Sequence, residues 1–187
     1  MHSPNYFIIK PYNGVRYDNI KKFGDVDFVM SSSVEDHTVT NRFAVVQSTP
    51  SWYEGPIIQG DVVVVHHNTF RLYYDMDGRE ASSWTFYKDD IYLVDIDQMY
   101  LYRRDEGPWK AIAPYAFVKP QKNENDSAVL THYVEKSTFG HIVYLPDGEK
   151  ELEVGMEVSF KPGSEYEFKI DGEKLYRMRT RNICLTT

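Results

Sequence analysis

The sequence predicts an all-β protein built as two tandem small β-barrels. Three observations predict it: the balance of residue types, a set of short motifs that recurs in one order, and turn signals spaced closely between short apolar runs. Val, Ile, Tyr, Phe and Thr number 18, 11, 15, 10 and 10 among 187 residues, while Ala and Leu number only 6 and 8. β-Branched and aromatic side chains fit a pleated, half-buried surface and lose rotamer freedom on a helix. Helical bundles, coiled coils and βαβ nucleotide folds are thereby disfavoured.

The repeat sets the order of elements. Residues 6–11 read YFIIKP and residues 115–120 read YAFVKP. IIQGDVVVV at 57–65 is answered by LEVGMEVSF at 152–160, with Gly60 opposite Gly155. YYDMDGRE at 73–80 is answered by EFKIDGEK at 167–174, with Asp77-Gly78 opposite Asp171-Gly172. KDDIYLV at 88–94 is answered by TRNICLT at 180–186, with Ile91 opposite Ile183. The offsets are 109, 95, 94 and 92, and four weak matches in one order carry what none carries alone. The large drop falls where residues 12–42 face only 121–139, as a long loop facing a shorter one would give. The domain reading is a first barrel in 1–95, a connecting segment at 96–112 containing Gly107-Pro108, and a second barrel in 113–187.

Local signals support strands within each half. Gly60 opens a run of four valines, the pattern of a strand buried on both faces. Asp77-Gly78 and Asp171-Gly172 are hairpin signals, because Asp-Gly accepts the positive φ values of a type I′ turn. Pro146-Asp147-Gly148 marks a further turn. Short strands separated by such turns suggest small barrels.

Charge and chemistry narrow the function classes. The formal charge of −7 gives no global attraction to nucleic acid or anionic lipid. The run Val62 to Val65 is far below the roughly 20 residues of a membrane span, and MHSPNYFIIKPY has no signal-peptide pattern. One cysteine, Cys184, makes no internal disulfide; it is read as a small buried apolar residue. The expectation is a soluble, cytoplasmic protein without nucleic-acid or membrane partners.

No nucleophile elbow, phosphate loop, dinucleotide fingerprint or paired-cysteine zinc pattern occurs in the sequence, so no catalytic residue and no cofactor is assigned and the chain is read as a non-enzyme. His66-His67, on a strand, would point to opposite faces and share no metal, and the start of a calcium-like loop at Asp75, Asp77 and Gly78 is better read as a turn. No metal site is assigned. Arg177, Arg179 and Arg181 alternate and could form one positive face, suited to a neighbour's acidic surface. Trp52-Tyr53, Trp84 and Trp109 are candidates for stacking on a sugar, although core and interface packing claims most aromatics in small barrels.

The order of these motifs, an Ile/Val-Lys-Pro strand, a long polar loop, a glycine entry to a Val/Phe strand, an Asp-Gly hairpin and a last strand, resembles the chaperonin-10 family of small co-chaperonins. The segment ELEVGMEVSFKPGSEYEFKIDGEKLYRMRTRNICLTT is similar to that family's carboxy-terminal half. SAVLTHYVEKSTFGHIV at 127–143 looks like the family's mobile loop, with Ala128, Val129 and Leu130 in the place of its aliphatic docking group, and Lys136-Ser137-Thr138 and Gly140 in the returning segment. In the first half, Phe28, Val29 and Met30 are the matching candidates.

The resemblance implies a tandem double co-chaperonin: a non-enzymatic lid, in a homo-oligomeric ring, that caps a large ATP-driven chaperonin ring and assists protein folding. A lid needs a rigid barrel and an arm that orders on contact. An aliphatic group buried in a partner gains about 25 cal/mol per Å², the ordering entropy of the loop opposes it, and several arms on one ring recover avidity. The alternative is a non-enzymatic β-barrel binding or structural module, such as a phage virion component or a carbohydrate binder.

Overall fold

The computed structural model describes residues 1–17, 20–23, 26–29, 40–121 and 138–186. Among them there is no α-helix: regular structure is antiparallel β, broken by three one-turn 3₁₀ segments. The chain divides into two compact units, Met1–Pro108 and Trp109–Thr187.

In the first unit the strands are β1 (Phe7–Pro11), β2 (Ile20–Phe23), β3 (Val26–Val29), β4 (Phe43–Ser48), β5 (Val62–Val65), β6 (Leu72–Tyr74), β7 (Glu80–Ser82), β8 (Phe86–Lys88), β9 (Ile91–Val94) and β10 (Met99–Arg103). Its main sheet runs β10-β5-β4-β1-β9-β8, while β2-β3 and β6-β7 are separate hairpins. Val63, Val64 and Val65 are all fully buried, so β5 is covered on both faces as its unbroken apolar run requires.

The second unit holds β11 (Lys110–Ala111), β12 (Tyr115–Pro120), β13 (Phe139–Tyr144), β14 (Glu157–Phe160), β15 (Tyr166–Ile170), β16 (Glu173–Arg179) and β17 (Ile183–Thr186). Its sheet runs β17-β14-β13-β12-β16-β15. Numbering the six sheet strands of each unit in chain order, both sheets read 6-3-2-1-5-4. No strand pairing among the described residues brings either sheet round to a closed ring.

The likeness extends to register. The β1/β4 pairing slips between Ile8, opposite Ser48, and Ile9, opposite Val46; the β12/β13 pairing slips between Phe117, opposite Tyr144, and Val118, opposite Ile142. The same bulge thus sits at the same place in both sheets, where it bends the strand and raises its twist. Gly60 and Gly155 have φ of 94° and 91°, and their N–H groups donate to the Val46 and Ile142 carbonyls, each at 2.8 Å. This left-handed backbone, reached at little cost only by glycine, turns each chain into its third sheet strand.

The structure revises several sequence readings. The Asp77-Gly78 turn belongs to β6-β7, a hairpin outside the main sheet, and its φ is positive at Gly78 but not at Asp77. It is therefore not a type I′ turn: the Asp75 carboxylate accepts from the Asp77 and Arg79 amides at 2.9 and 2.8 Å. The partner of β15-β16, with its Asp171-Gly172 turn, is instead β8-β9, turning at Asp89-Asp90. Accordingly β9 matches β16, and the match of Ile91 to Ile183 is replaced by Met99 to Ile183: Val65 pairs with Met99 as Phe160 pairs with Ile183.

Residues 96–112, read as a connection, contain β10 of the first sheet, while Trp109, Ala111 and Ile112 are buried in the second unit. Cys184 is exposed, because its neighbour Ile183 takes the core-facing side of the strand. His66 and His67 follow the end of β5, so strand alternation does not separate them; their rings lie 4.2 Å apart between centroids.

Candidate functional site

In each unit the long connection joins the first and second sheet strands, β1 to β4 and β12 to β13. The sequence places its candidate partner-binding residues in these two connections. Phe28 and Val29 fall on β3, paired in backbone register with Lys21 and Ile20 of β2. Met30, Ala128, Val129 and Leu130 lie outside the described residues. The structure therefore describes the roots of the connections, and these roots differ.

In the second unit the root is a continuation of the ladder. Pro120 pairs with Gly140, the Gln121 amide donates to the Phe139 carbonyl at 3.0 Å, and the Phe160 amide donates to the Thr138 carbonyl at 2.9 Å. The Gln121 side chain donates to Glu157 at 2.6 Å, and Lys119 pairs with Glu173 at 2.9 Å on the exposed surface. Both strands of the root are thus carried on a hydrogen-bonded sheet, while Phe139 leaves half its surface in water.

In the first unit the root is clasped by side chains. The Asn41 amide group donates to the Val15 and Tyr12 carbonyls at 2.6 and 3.3 Å, while its oxygen accepts from the Phe43 amide at 2.9 Å. Tyr17 pairs with Thr40, and the Tyr17 hydroxyl accepts from the Leu72 amide at 2.6 Å. Arg16 donates to Ser82 at 3.1 Å, and its guanidinium lies 5.5 and 5.6 Å from the centres of the Phe86 and Tyr92 rings. The β6-β7 hairpin thereby braces the root of the connection.

Burial pushes the Tyr92 phenol up to about 12, the Arg16 charge opposing it. Arg16, Tyr17 and Asn41 went unassigned in the sequence. Their polar types look like any loop, and only the pairing across the connection reveals their role.

The remaining candidates separate. Trp109 is buried, donating from Nε1 to Asp171 at 2.8 Å, so it offers no stacking face. Trp52 is half exposed and its Nε1 donates to the Asn5 carbonyl at 3.2 Å. Trp84 is 70 % exposed and lines a cleft with Asn68, Arg71, Tyr73 and Ser83. Arg177 and Arg179 alternate on β16, Arg177 packing 4.9 and 5.3 Å from the centres of the Tyr115 and Tyr166 rings and Arg179 exposed, while Arg181 lies in the 3₁₀ turn after the strand, so strand alternation does not extend to it.

Among the described residues no three His, Cys, Asp or Glu side chains are grouped as a metal ion would need, and no helix is long and apolar enough to cross a membrane. No model of a known protein family matches the sequence, and no curated protein matches it.

Proposed function

We propose that the chain is a tandem co-chaperonin-like lid: two small barrels of chaperonin-10 type, assembled as a homo-oligomeric ring, that cap a chaperonin ring in the cytoplasm and dock through the connections between their first and second sheet strands. The observation that supports it best is the shared 6-3-2-1-5-4 strand order, with the same bulge and the same glycine entry in both units. An internal duplication of this kind presents two equivalent connections. The sequence places an apolar triplet in each, Ala128-Val129-Leu130 in one and Phe28-Val29-Met30 in the other.

The work of such a lid is binding, and the chaperonin supplies the ATP chemistry. A rigid root holds each arm at a fixed place on the sheet. The arm gives up conformational entropy when it orders on the partner, so one arm binds weakly and several bind together.

The experiment mixes the full chain with a chaperonin ring, with and without nucleotide, and follows co-elution. Capping in the presence of nucleotide is expected. The double variant Val129→Ser, Leu130→Ser removes about 2–4 kcal/mol of contact per arm and abolishes capping. Its melting temperature stays at the parent value, since the change leaves both sheets intact. A parent chain that never co-elutes overturns the lid reading. A double variant that caps as well as the parent removes these residues from the interface.

A further inference from the structure

The first unit carries a feature that the second lacks. Residues 161–165 are all that joins β14 to β15, whereas 66–85 join β5 to β8 and include the β6-β7 hairpin. Outside the main sheet, this hairpin and the turn that follows it present aromatic rings to water: Tyr73 is 43 % exposed and Trp84 70 %. Arg71 extends the hairpin by one pair, its carbonyl accepting from the Ser83 amide at 3.1 Å. Arg71 and Tyr73, two apart on an extended strand, therefore point to the same side. Together with Asn68, Ser83 and Trp84 they line a cleft of about 360 Å³.

Arg71 is the charged member. No ion pair engages its guanidinium among the described residues. Its Nε is sealed from solvent, as at Arg16, Arg103 and Arg177, so only the terminal Nη groups can face a ligand. The Asn68 side chain is also unengaged, its backbone amide alone being held, by His66 Nδ1 at 3.1 Å. Ser83 is different: its hydroxyl donates to the Thr69 carbonyl at 2.6 Å and lies 2.6 Å from Thr85 Oγ1, so it fixes the wall of the cleft.

We propose that this cleft binds a carboxylate-bearing sugar, a uronic-acid unit of a glycan, with the sugar ring on Trp84 and the carboxylate on Arg71. The planar guanidinium fork matches a carboxylate through two parallel N–H···O bonds. The exposed indole offers a flat apolar face to the C–H side of a pyranose, and the Asn68 amide offers one donor and one acceptor to neighbouring hydroxyls. The volume lies at the low end of the roughly 300–1,000 Å³ of small-ligand sites, room for one or two rings. A neutral sugar would leave the guanidinium charge without a counter-charge. The site stands apart from the lid reading and does not rest on it.

The test titrates the full chain with a disaccharide ending in glucuronic acid, followed by tryptophan fluorescence and ligand-observed NMR, beside a neutral glucose disaccharide and glucose 6-phosphate. Saturable binding of the uronate is expected, with both comparison sugars weaker by about tenfold or more. Arg71→Gln and Trp84→Ala should each weaken it by about tenfold or more while melting with the parent. Absence of uronate binding up to about 10 mM overturns the proposal, as does an affinity unchanged in Arg71→Gln or a tighter hold on the phosphate. Should Arg71→Gln unfold, Trp84→Ala, which alters a mostly exposed ring, decides: retained affinity overturns the site.

Discussion

The two units share a sheet and differ in what hangs from it. Ile9 matches Val118, an offset of 109; Val46 matches Ile142, an offset of 96; Gly60 matches Gly155, an offset of 95; Tyr92 matches Tyr176, an offset of 84. The offset is held along each matched strand pairing and falls in the connections, most steeply between the first and second sheet strands and again where β6-β7 stands in one unit only. Changing a connection's length costs little closure entropy, whereas slipping a strand by one residue turns its whole apolar set to the wrong face. Ladder and bulge are therefore held in common, and the connections are free to acquire separate roles.

Matched positions need not be filled alike. Asp61 occupies the place of Met156, since Val46 and Ile142 donate to their respective carbonyls at 2.9 and 3.0 Å. Met156 packs against the apolar cluster of Val118, Ile142 and Val158. Asp61, whose side chain is 1 % exposed, accepts instead from the Ile58 amide at 2.9 Å and from the Arg104 fork at 3.0 and 3.1 Å. A paired carboxylate and a thioether solve one packing problem by different chemistry.

The largest expected effect tests whether matched core positions carry matched weight. Phe117 is fully buried, with edge contacts to Phe168 and Tyr144 at 5.7 and 6.2 Å between ring centres. Phe117→Ala should cost about 3–5 kcal/mol and Ile8→Ala, at the same bulge in the first unit, about 2–5, read by denaturant unfolding. A cost below about 1 kcal/mol at either position would mean that the two bulges are not equivalent anchors.

The next prediction separates the units by pH. Tyr92 is fully buried, its hydroxyl makes no hydrogen bond of good geometry, and its phenol is pushed up to about 12 from 10.0, burial being the main cause. The folded state disfavours the phenolate, so this contribution is complete below pH 10 and is lost as pH rises through 12. The loss approaches about 2–3 kcal/mol above that range. Tyr92→Phe should unfold less readily than the parent near pH 12 and at least match it near neutral pH. An unchanged alkaline profile would break the prediction.

Third comes a position where one unit holds alanine and the other glycine. Ala44 and Gly140 are matched, pairing with Pro11 and Pro120. Ala44 is fully buried without difficulty, but a Cβ at Gly140 would meet the Lys119 carbonyl oxygen and the Val118 side chain. Gly140→Ala should cost about 1–3 kcal/mol by overpacking, and Ala44→Gly about 0.5–1 through backbone entropy. Amide exchange of Lys119 and Phe139, beside the root of the connection, should quicken in the first variant.

Much of this frame is legible in the sequence, for physical reasons. YFIIKP and YAFVKP stand out because Phe7, Ile8 and Ile9, and likewise Ala116, Phe117 and Val118, are buried in succession, so both faces of the first strand are covered and must be apolar there. Gly60 and Gly155 stand out because no other residue takes their backbone cheaply. The misplaced hairpin has the opposite cause: Asp77-Gly78 announces a turn equally well in or out of the main sheet, while the true counterpart of Asp171-Gly172 is Asp89-Asp90, which lacks the glycine that would mark it. β10 was hidden by the Gly107-Pro108 signal four residues after its end, and the Arg71 cleft by the ordinary look of a lone arginine in a polar hairpin.

The smallest effect concerns that unmarked turn. Asp89 and Asp90 have φ of 48° and 56°, and Asp171 and Gly172 have 48° and 84°. Both pairs take the left-handed backbone of a two-residue hairpin, so the second position bears a Cβ penalty in the first unit and none in the second. Asp90→Gly should relieve that strain and also separate two adjacent carboxylates, while the unfolded chain gains freedom that offsets part of the benefit. The net expectation is a gain of up to about 1 kcal/mol, or roughly 2–4 °C in Tm for a chain of this size. Gly172→Asp should lose a similar amount. If Asp90→Gly instead lowers Tm, the Asp90 side chain holds the turn through its own contacts, and the two hairpins reach the same backbone by different means.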